Sequence, residues 1–233
     1  MKSNNHIEVE LKGLIDILIN QTKELFNIDK FKDLIDRALR KDYVEGIEFI
    51  DKEVQPDINF TLPANAQRQL EGLYNYVEQN LQDAVDDVGS KLRQEVQRGL
   101  QNKEDRNQII ARVKRVFRDD KSVINRLKVV IRTETNRANN SGRLEAMKQA
   151  ELSGIKLKKW LDVVPYSKNS SAFCNTPAGS NGKNSAFGKY GNPTKAIALD
   201  KDFIVKADNK TVRALAPPLH INCRTRLRSR RVK

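Results

Sequence analysis

The chain has little of what small secreted scaffolds and most hydrolases depend on. It holds two cysteines, Cys174 and Cys223, in 233 residues, too few for a disulfide-stapled extracellular framework. Its two histidines are His6 and His220. With His6 near the start, one imidazole is left for acid–base work. Aromatic residues make up 6% and tryptophan occurs once, which excludes the interleaved stacking platform of a single-strand nucleic-acid binder. No stretch approaches the ~20 apolar residues of a membrane helix. The opening MKSNNHIEVELKG lacks the apolar run of a signal peptide. The expectation is a protein made and kept in a reducing cytosol, with no membrane partner. A Walker loop, G-x-S-x-G and H-E-x-x-H are all missing, and no compact helix-turn-helix is evident. The chain is expected not to be an enzyme.

Acidic residues are also scarce, but only in one half. Residues 121–233 carry 24 Lys and Arg against 7 Asp and Glu, a net of +17, whereas residues 1–120 carry 19 against 23, a net of −4. The whole excess of positive charge therefore sits in the second half. Such a split suggests a half that faces a polyanion; a lysine-rich surface made for solubility is the simpler account. Apolar residues are 38%, enough for one or two domains with a real core.

The first two-thirds has helical periodicity. Ile7, Leu11, Leu14, Ile15, Leu18, Leu25 and Phe26 mark an amphipathic helix over 7–27. A second helix is expected over 29–49, with Phe31, Leu34, Ile35, Ala38 and Leu39 inward. Residues 51–65 contain Pro56 and Pro63 and lack a helical period, so they are expected to be a linker. The N-terminal pair is either an arm that docks on a partner or a hairpin packed on its own chain. A long helix follows over 66–100, where Gly89 marks a kink or a break. Another covers 106–118. A last helix, capped by Asp119 or Asp120, runs to about Leu152. Beyond Ile131 its apolar stripe thins, and Arg132, Glu134, Asn136, Arg137, Asn139, Asn140 and Arg143 dominate. Glu134 and Arg137 are spaced for a helical ion pair; the rest suit a solvated or domain-facing surface.

After Gly154, which ends the helix, residues 156–164 have the alternation of a strand. Trp160 is expected to be a mostly buried anchor. Residues 166–193 form a long Ser-, Asn- and Gly-rich loop containing Cys174. Strand-like runs follow at 196–199, 203–205 and 211–215. Near the end lies Pro217-Pro218-Leu219-His220-Ile221-Asn222-Cys223-Arg224. The prolines predict an extended, stiff entry. His220 and Cys223 stand close enough to share one ion or one turn. Arg224, Arg226 and Arg228 then alternate along one side of an extended chain, with Arg230 and Arg231 behind them. The fold class expected is α+β: helices first, then a small module of short antiparallel strands.

Arg132-Thr133-Glu134 with Asn139 and Arg143, then Gly154, then Lys159-Trp160 with Asp162, then a loop cysteine, then Pro217-Pro218-x-His220-x-x-Cys223-Arg224, resembles the phage Mu F-like head morphogenesis family. The resemblance covers residues 105–230, and the order and spacing of the pieces carry it. It implies a minor head protein of a tailed phage or prophage, incorporated near the portal vertex during capsid assembly. Its partners would be the portal protein, other head proteins and packaged double-stranded DNA. Its places would be the virion and, during assembly, the host cytoplasm. The domains that follow are a docking region over 1–55, a linker and long helix over 56–104, and the family domain over 105–233. Arg132, Glu134, Trp160, Asp162, Pro217 and Pro218 are the structural motif.

Many relatives carry a Cys-x-x-Cys-like pair in the loop and end in Cys-Arg-Cys. Here Cys174 stands alone and Thr225 takes the last position. Cys174, His220 and Cys223 leave three ligands where a closed zinc site needs four, and Asp162 or water would complete it. A buried hydrogen-bonded histidine with inert thiols, or a Cys174–Cys223 disulfide, are the other outcomes. The candidate DNA contacts are Arg224, Arg226, Arg228, Arg230, Arg231, Lys156, Lys158 and Lys159; the alternative is that one of the arginines braces the module against Glu134 or Asp162. The alternative functions are a sequence-independent nucleic-acid-binding protein and a metal-dependent, nuclease-like enzyme with Glu134, Asp162 and His220 as its only candidates.

Overall fold

A computed structural model describes residues 28–54, 60–119, 121–163, 171–175, 186–207 and 209–232. The helix expected over 7–27 and the side chain of Phe31 lie outside the described residues. The fold is α+β, as the sequence predicts. Four helices come first: α1 (Ile28–Val54), α2 (Ala66–Gln101), α3 (Arg106–Asp119) and α4 (Lys121–Leu152). Then follow β1 (Leu157–Asp162), the short helices α5 (Ala172–Asn175) and α6 (Ala186–Tyr190), a 3-10 turn at Pro193–Lys195, and strands β2 (Phe203–Ala207), β3 (Lys210–Ala214) and β4 (Arg226–Arg231). Strand β1 pairs antiparallel with β4, and β2 with β3. Among the described residues no helix is long and apolar enough to cross a membrane.

The compact units are not the successive blocks the sequence suggested. One is built on Asn75–Lys128 and the other on Leu34–Tyr74 together with Val129–Lys233. In the first, Ala84, Val88, Leu92, Val96, Ile109 and Val113 close a small core. Asp105 and Gln108 exchange backbone N–H bonds across the start of α3 at 2.9 and 2.8 Å, a reciprocal cap that satisfies two orphan donors. Arg112 forks onto Glu104 at 2.5 and 2.6 Å and reaches Glu95 at 3.0 Å. Helix α2 runs unbroken through Gly89, so that glycine neither ends nor splits it.

In the second unit, α1 buries Leu39, Tyr43, Ile47, Ile50 and Val54 at three- and four-residue spacing. Leu34, expected inward, is 54% exposed. The helix continues to Val54, three residues past the expected start of the linker at Asp51. These residues share one core with Ala138, Leu144, Met147, Leu157, Leu161, Phe203 and Leu227. One face of residues 34–54 thus packs on their own chain. The α1–α4 crossing is made by two glycines. A Cβ on Gly46 would collide with the Asn139 carbonyl, and one on Gly142 with the Tyr43 carbonyl. Only bare backbone lets the helices come so close.

Helix α4 ends at Gly154, which has φ +88°. The β1–β4 register pairs Lys158 with Arg230, Trp160 with Arg228 and Asp162 with Arg226 on one face, and Lys159 with Ser229 and Leu161 with Leu227 on the other. The loop expected over 166–193 contains α5 and α6. The run at 196–199 is not a strand but a single bridge from Ile197 to Lys159.

Candidate metal centre

Helix α4 explains how the turn bearing His220 and Cys223 is held. Its residues at positions 132, 133, 136, 140 and 143 fall on one face at three- and four-residue steps. That face meets the backbone of 222–227 like a missing strand. Arg132 donates to Asn222 Oδ1 at 2.9 Å, and Thr133 Oγ1 accepts the Asn222 N–H at 2.8 Å. Asn136 Nδ2 reaches the carbonyls of Cys223 and Thr225 at 2.9 and 3.2 Å. Asn140 donates to Thr225 O at 3.2 Å and accepts the Leu227 N–H at 2.7 Å. Arg143 donates to Leu227 O at 2.9 Å. Backbone groups that have no strand beside them are thereby satisfied. The thinning apolar stripe of this helix is a buried polar seam, not a solvated surface. Asn136 and Asn140 were not singled out as site residues; the 133/136/140/143 spacing of polar residues was the signal.

The turn itself requires Asn222 at φ 61°, a left-handed position that asparagine tolerates. The Pro217–Pro218 peptide is cis, and the chain bends just before it; the entry is not the extended run expected. Both prolines are buried.

Cys174, His220 and Cys223 come together here, with one ligand atom from each lying within 4.8 Å of the others. Helix α5 delivers Cys174; the turn delivers the other two. Cys174 Sγ is 3.1 Å from His220 Nε2 and 3.2 Å from Thr225 Oγ1. His220 Nδ1 lies 2.7 Å from the Ile221 carbonyl. That carbonyl can only accept, so Nδ1 carries the proton, and in the neutral ring Nε2 turns its lone pair toward the sulfurs. This is the orientation a metal-binding histidine needs. Phe173 stacks on the imidazole at 6.2 Å between centroids.

The hydrogen bond between the two thiols splits their acidities. The bond from Cys174 holds Cys223 well below the ordinary thiol range against the effect of burial, and His220 and Thr225 add to it. The same bond, then burial, pushes Cys174 up. Burial works against the His220 imidazolium, but the hydrogen bond to Cys223, its charge and the Ile221 carbonyl outweigh that, and its pKa is raised. A buried thiolate beside a proton-bearing neighbour is poised to exchange those protons for a cation. The cluster can hold a metal ion by three protein ligands. Asp162, considered as the fourth, is engaged elsewhere: it lies 3.5 Å from Arg228.

The remaining predicted residues separate into groups. Arg224, Arg226, Arg230 and Arg231 are exposed, as are Lys156 and Lys158. Arg230 donates to the Pro193 carbonyl at 2.7 Å. Arg228 is a brace: it pairs with Glu53 at 2.5 Å and lies over the rings of Phe49 and Trp160 at 4.8 and 5.9 Å. Lys159, predicted as a DNA contact, is fully buried. Its Nζ donates to the Leu199 and Leu215 carbonyls at 2.8 and 2.7 Å, so it cannot reach a phosphate. Trp160 is half-buried rather than mostly buried, with Nε1 on the Ser229 carbonyl at 3.2 Å. Glu134 is buried and pairs with Arg137 at 2.8 Å.

Comparison of the chain with known protein families, with curated proteins and with solved structures finds no match.

Proposed function

We propose that this chain is a minor head protein of a tailed phage or prophage, of the Mu F-like head morphogenesis type, built into the capsid near the portal vertex. Its C-terminal module carries zinc on Cys174, His220 and Cys223, and the module contacts packaged double-stranded DNA. One observation above the rest supports the reading. Arg132, Thr133, Arg143, Cys174, His220 and Cys223 of the sequence pattern are far apart in the chain, yet they converge on one seam and one turn. A chance assortment of weak motif pieces has no reason to close on itself. Zinc suits a site of two sulfurs and one imidazole nitrogen. The DNA contact is favoured by Lys158 and Arg230, which face each other across β1 and β4. Like charges directly opposite are unfavourable, and a phosphate backbone between them would relieve that.

The test of the assembly role is to co-express the chain with the portal, scaffold and major capsid proteins of its source genome, where that genome carries them, and to sediment the procapsids. The chain should sediment with them at low copy. Procapsids of normal shape and composition that never carry it overturn the reading. Elemental analysis of the purified protein tests the metal separately. One zinc per chain is expected, lost in Cys174→Ala. Folded, zinc-free protein from zinc-supplemented growth retires the zinc without touching the head role.

A further inference from the structure

A cleft of about 610 Å³ opens beside the metal cluster, between α1, α4 and the segment entering β4. Its walls have opposite charge. Arg132, Arg143, Arg224 and Arg226 form one side, and Asp42 and Glu45 stand on the α1 side. Neither carboxylate makes an ion pair with any of these arginines. Arg143 is 3% exposed. Its Nε is held by Asn139 at 2.8 Å, its Nη1 by the Leu227 carbonyl at 2.9 Å, and its plane by the Phe49 ring at 3.7 Å. The guanidinium is therefore fixed in place with one nitrogen, Nη2, still to be used. Arg226 lies near enough to disfavour its charge: burial first, then Arg226, brings the Arg143 pKa down to about 10. Arg224 and Arg226 are exposed and have no carboxylate partner among the described residues.

We infer that this cleft binds a single phosphate-class oxyanion, gripped by Arg143 and Arg226 and flanked by Arg132 and Arg224. A rigid buried guanidinium with a spare donor, beside exposed ones, is suited to a tetrahedral oxyanion. Guanidinium donors match its geometry two at a time. An anion placed there also offsets the repulsion between the arginines. Asp42 and Glu45 set the limit. Their wall repels a second negative group, so the cleft is a seat for one phosphate and not a channel for a run of them. That phosphate is either free or one residue of a DNA backbone. The inference rests on the cleft alone and stands whether or not the chain is a head protein.

The experiment is calorimetric titration of the whole protein with inorganic phosphate at constant ionic strength, against sodium chloride as the blank. Saturable binding at one site is expected, with a rise in Tm that chloride does not give. Arg226→Gln should weaken it roughly tenfold or more, the loss of one charge-assisted contact. Lys206→Gln, which removes an exposed charge outside the cleft, should leave it unchanged. If Arg226→Gln fails to fold by circular dichroism, Arg224→Gln replaces it. A short DNA duplex added as competitor separates the two sources. Displacement of phosphate by the duplex assigns the seat to the DNA backbone, and binding of both at once assigns it to free phosphate. The absence of saturable phosphate binding, or equal weakening by the cleft variant and Lys206→Gln, overturns the inference.

Discussion

Gly46 and Gly142 meet where α1 crosses α4, each occupying the space that a methyl group on it would take from a backbone carbonyl of the other helix. Gly46→Ala and Gly142→Ala should each destabilise the protein by about 1–3 kcal/mol, the usual cost of overpacking. The upper end is expected because backbone, not a flexible side chain, is in the way. Gly72 lies in α2 with nothing within 4 Å of an added Cβ. Gly72→Ala should instead stabilise by about 0.5–1 kcal/mol. Urea denaturation of the three variants checks the contrast, and destabilisation by all three would undo the argument.

Asn140 is fully buried and serves one acceptor and one donor of the β4 backbone. Asn140→Ala leaves the Leu227 N–H without its acceptor and the Thr225 carbonyl with Asn136 alone, at a cost of about 1–3 kcal/mol for the buried donor left unmade. Asn140→Leu should be no better, since filling the volume does not restore the bonds. Thermal unfolding measures this; a leucine variant as stable as the parent would mean the seam is packing alone.

Lys159 carries a pH signature. Burial lowers its pKa to about 8, with Asp202 and Asp200 pulling the other way. The unfolded value is near 10.4, so between about pH 8 and 10.4 the unfolded chain binds more protons than the folded one. Stability contributed by this group therefore rises with pH across that window. Below pH 8 the lysine is charged in both states and the burial cost is carried in full. Lys159→Met should remove the rise. Comparing the two proteins cancels the other titrating groups, and parallel pH profiles would contradict the assignment.

Thr225 Oγ1 stands 3.2 Å from Cys174 Sγ, on the edge of the three-ligand cluster. Thr225→Cys should supply the fourth ligand and tighten zinc at least tenfold, read by competition with a chromophoric chelator under reducing conditions. Unchanged affinity would place residue 225 outside the coordination sphere.

Lys158 and Arg230 are the pair on which the DNA contact turns. Each phosphate neutralised contributes about −0.9 to the slope of log K against log salt, so Lys158→Gln with Arg230→Gln should flatten it by roughly 1.8. An unchanged slope in a folded double variant would move the contact elsewhere.

The helices were legible because α2 and α3 repeat their apolar residues at helical spacing over many turns, and Gly154 marks an end by its own chemistry. The alternation of β1 was legible too, but not its meaning. Lys159 shares parity with Leu157 and Leu161, so the pattern had already placed it inside. Its charge argued otherwise, and only the carbonyls of Leu199 and Leu215, 40 and 56 residues away, show what it does there. Arg228 was equally ambiguous, since a row of arginines looks alike until Glu53 is found beside one of them. The Cys174–His220–Cys223 cluster was anticipated residue by residue. The seam that holds it was not: the 133/136/140/143 spacing marks a polar face, but not the backbone that face will meet.

The pairing of β1 with β4 has a bearing on synthesis. When β1 leaves the ribosome its partner strand has yet to be made, and Asn140 and Arg143 are waiting for Leu227 within that strand. A chain stopped short of Arg226 would keep every helix and most of its apolar residues, yet it would leave Arg143 and the Asn140 amide oxygen without their Leu227 partners and an open strand edge beside them. Such a product is expected to be insoluble or quickly degraded. Strand β4 thus acts as a completeness check: without it the module cannot close.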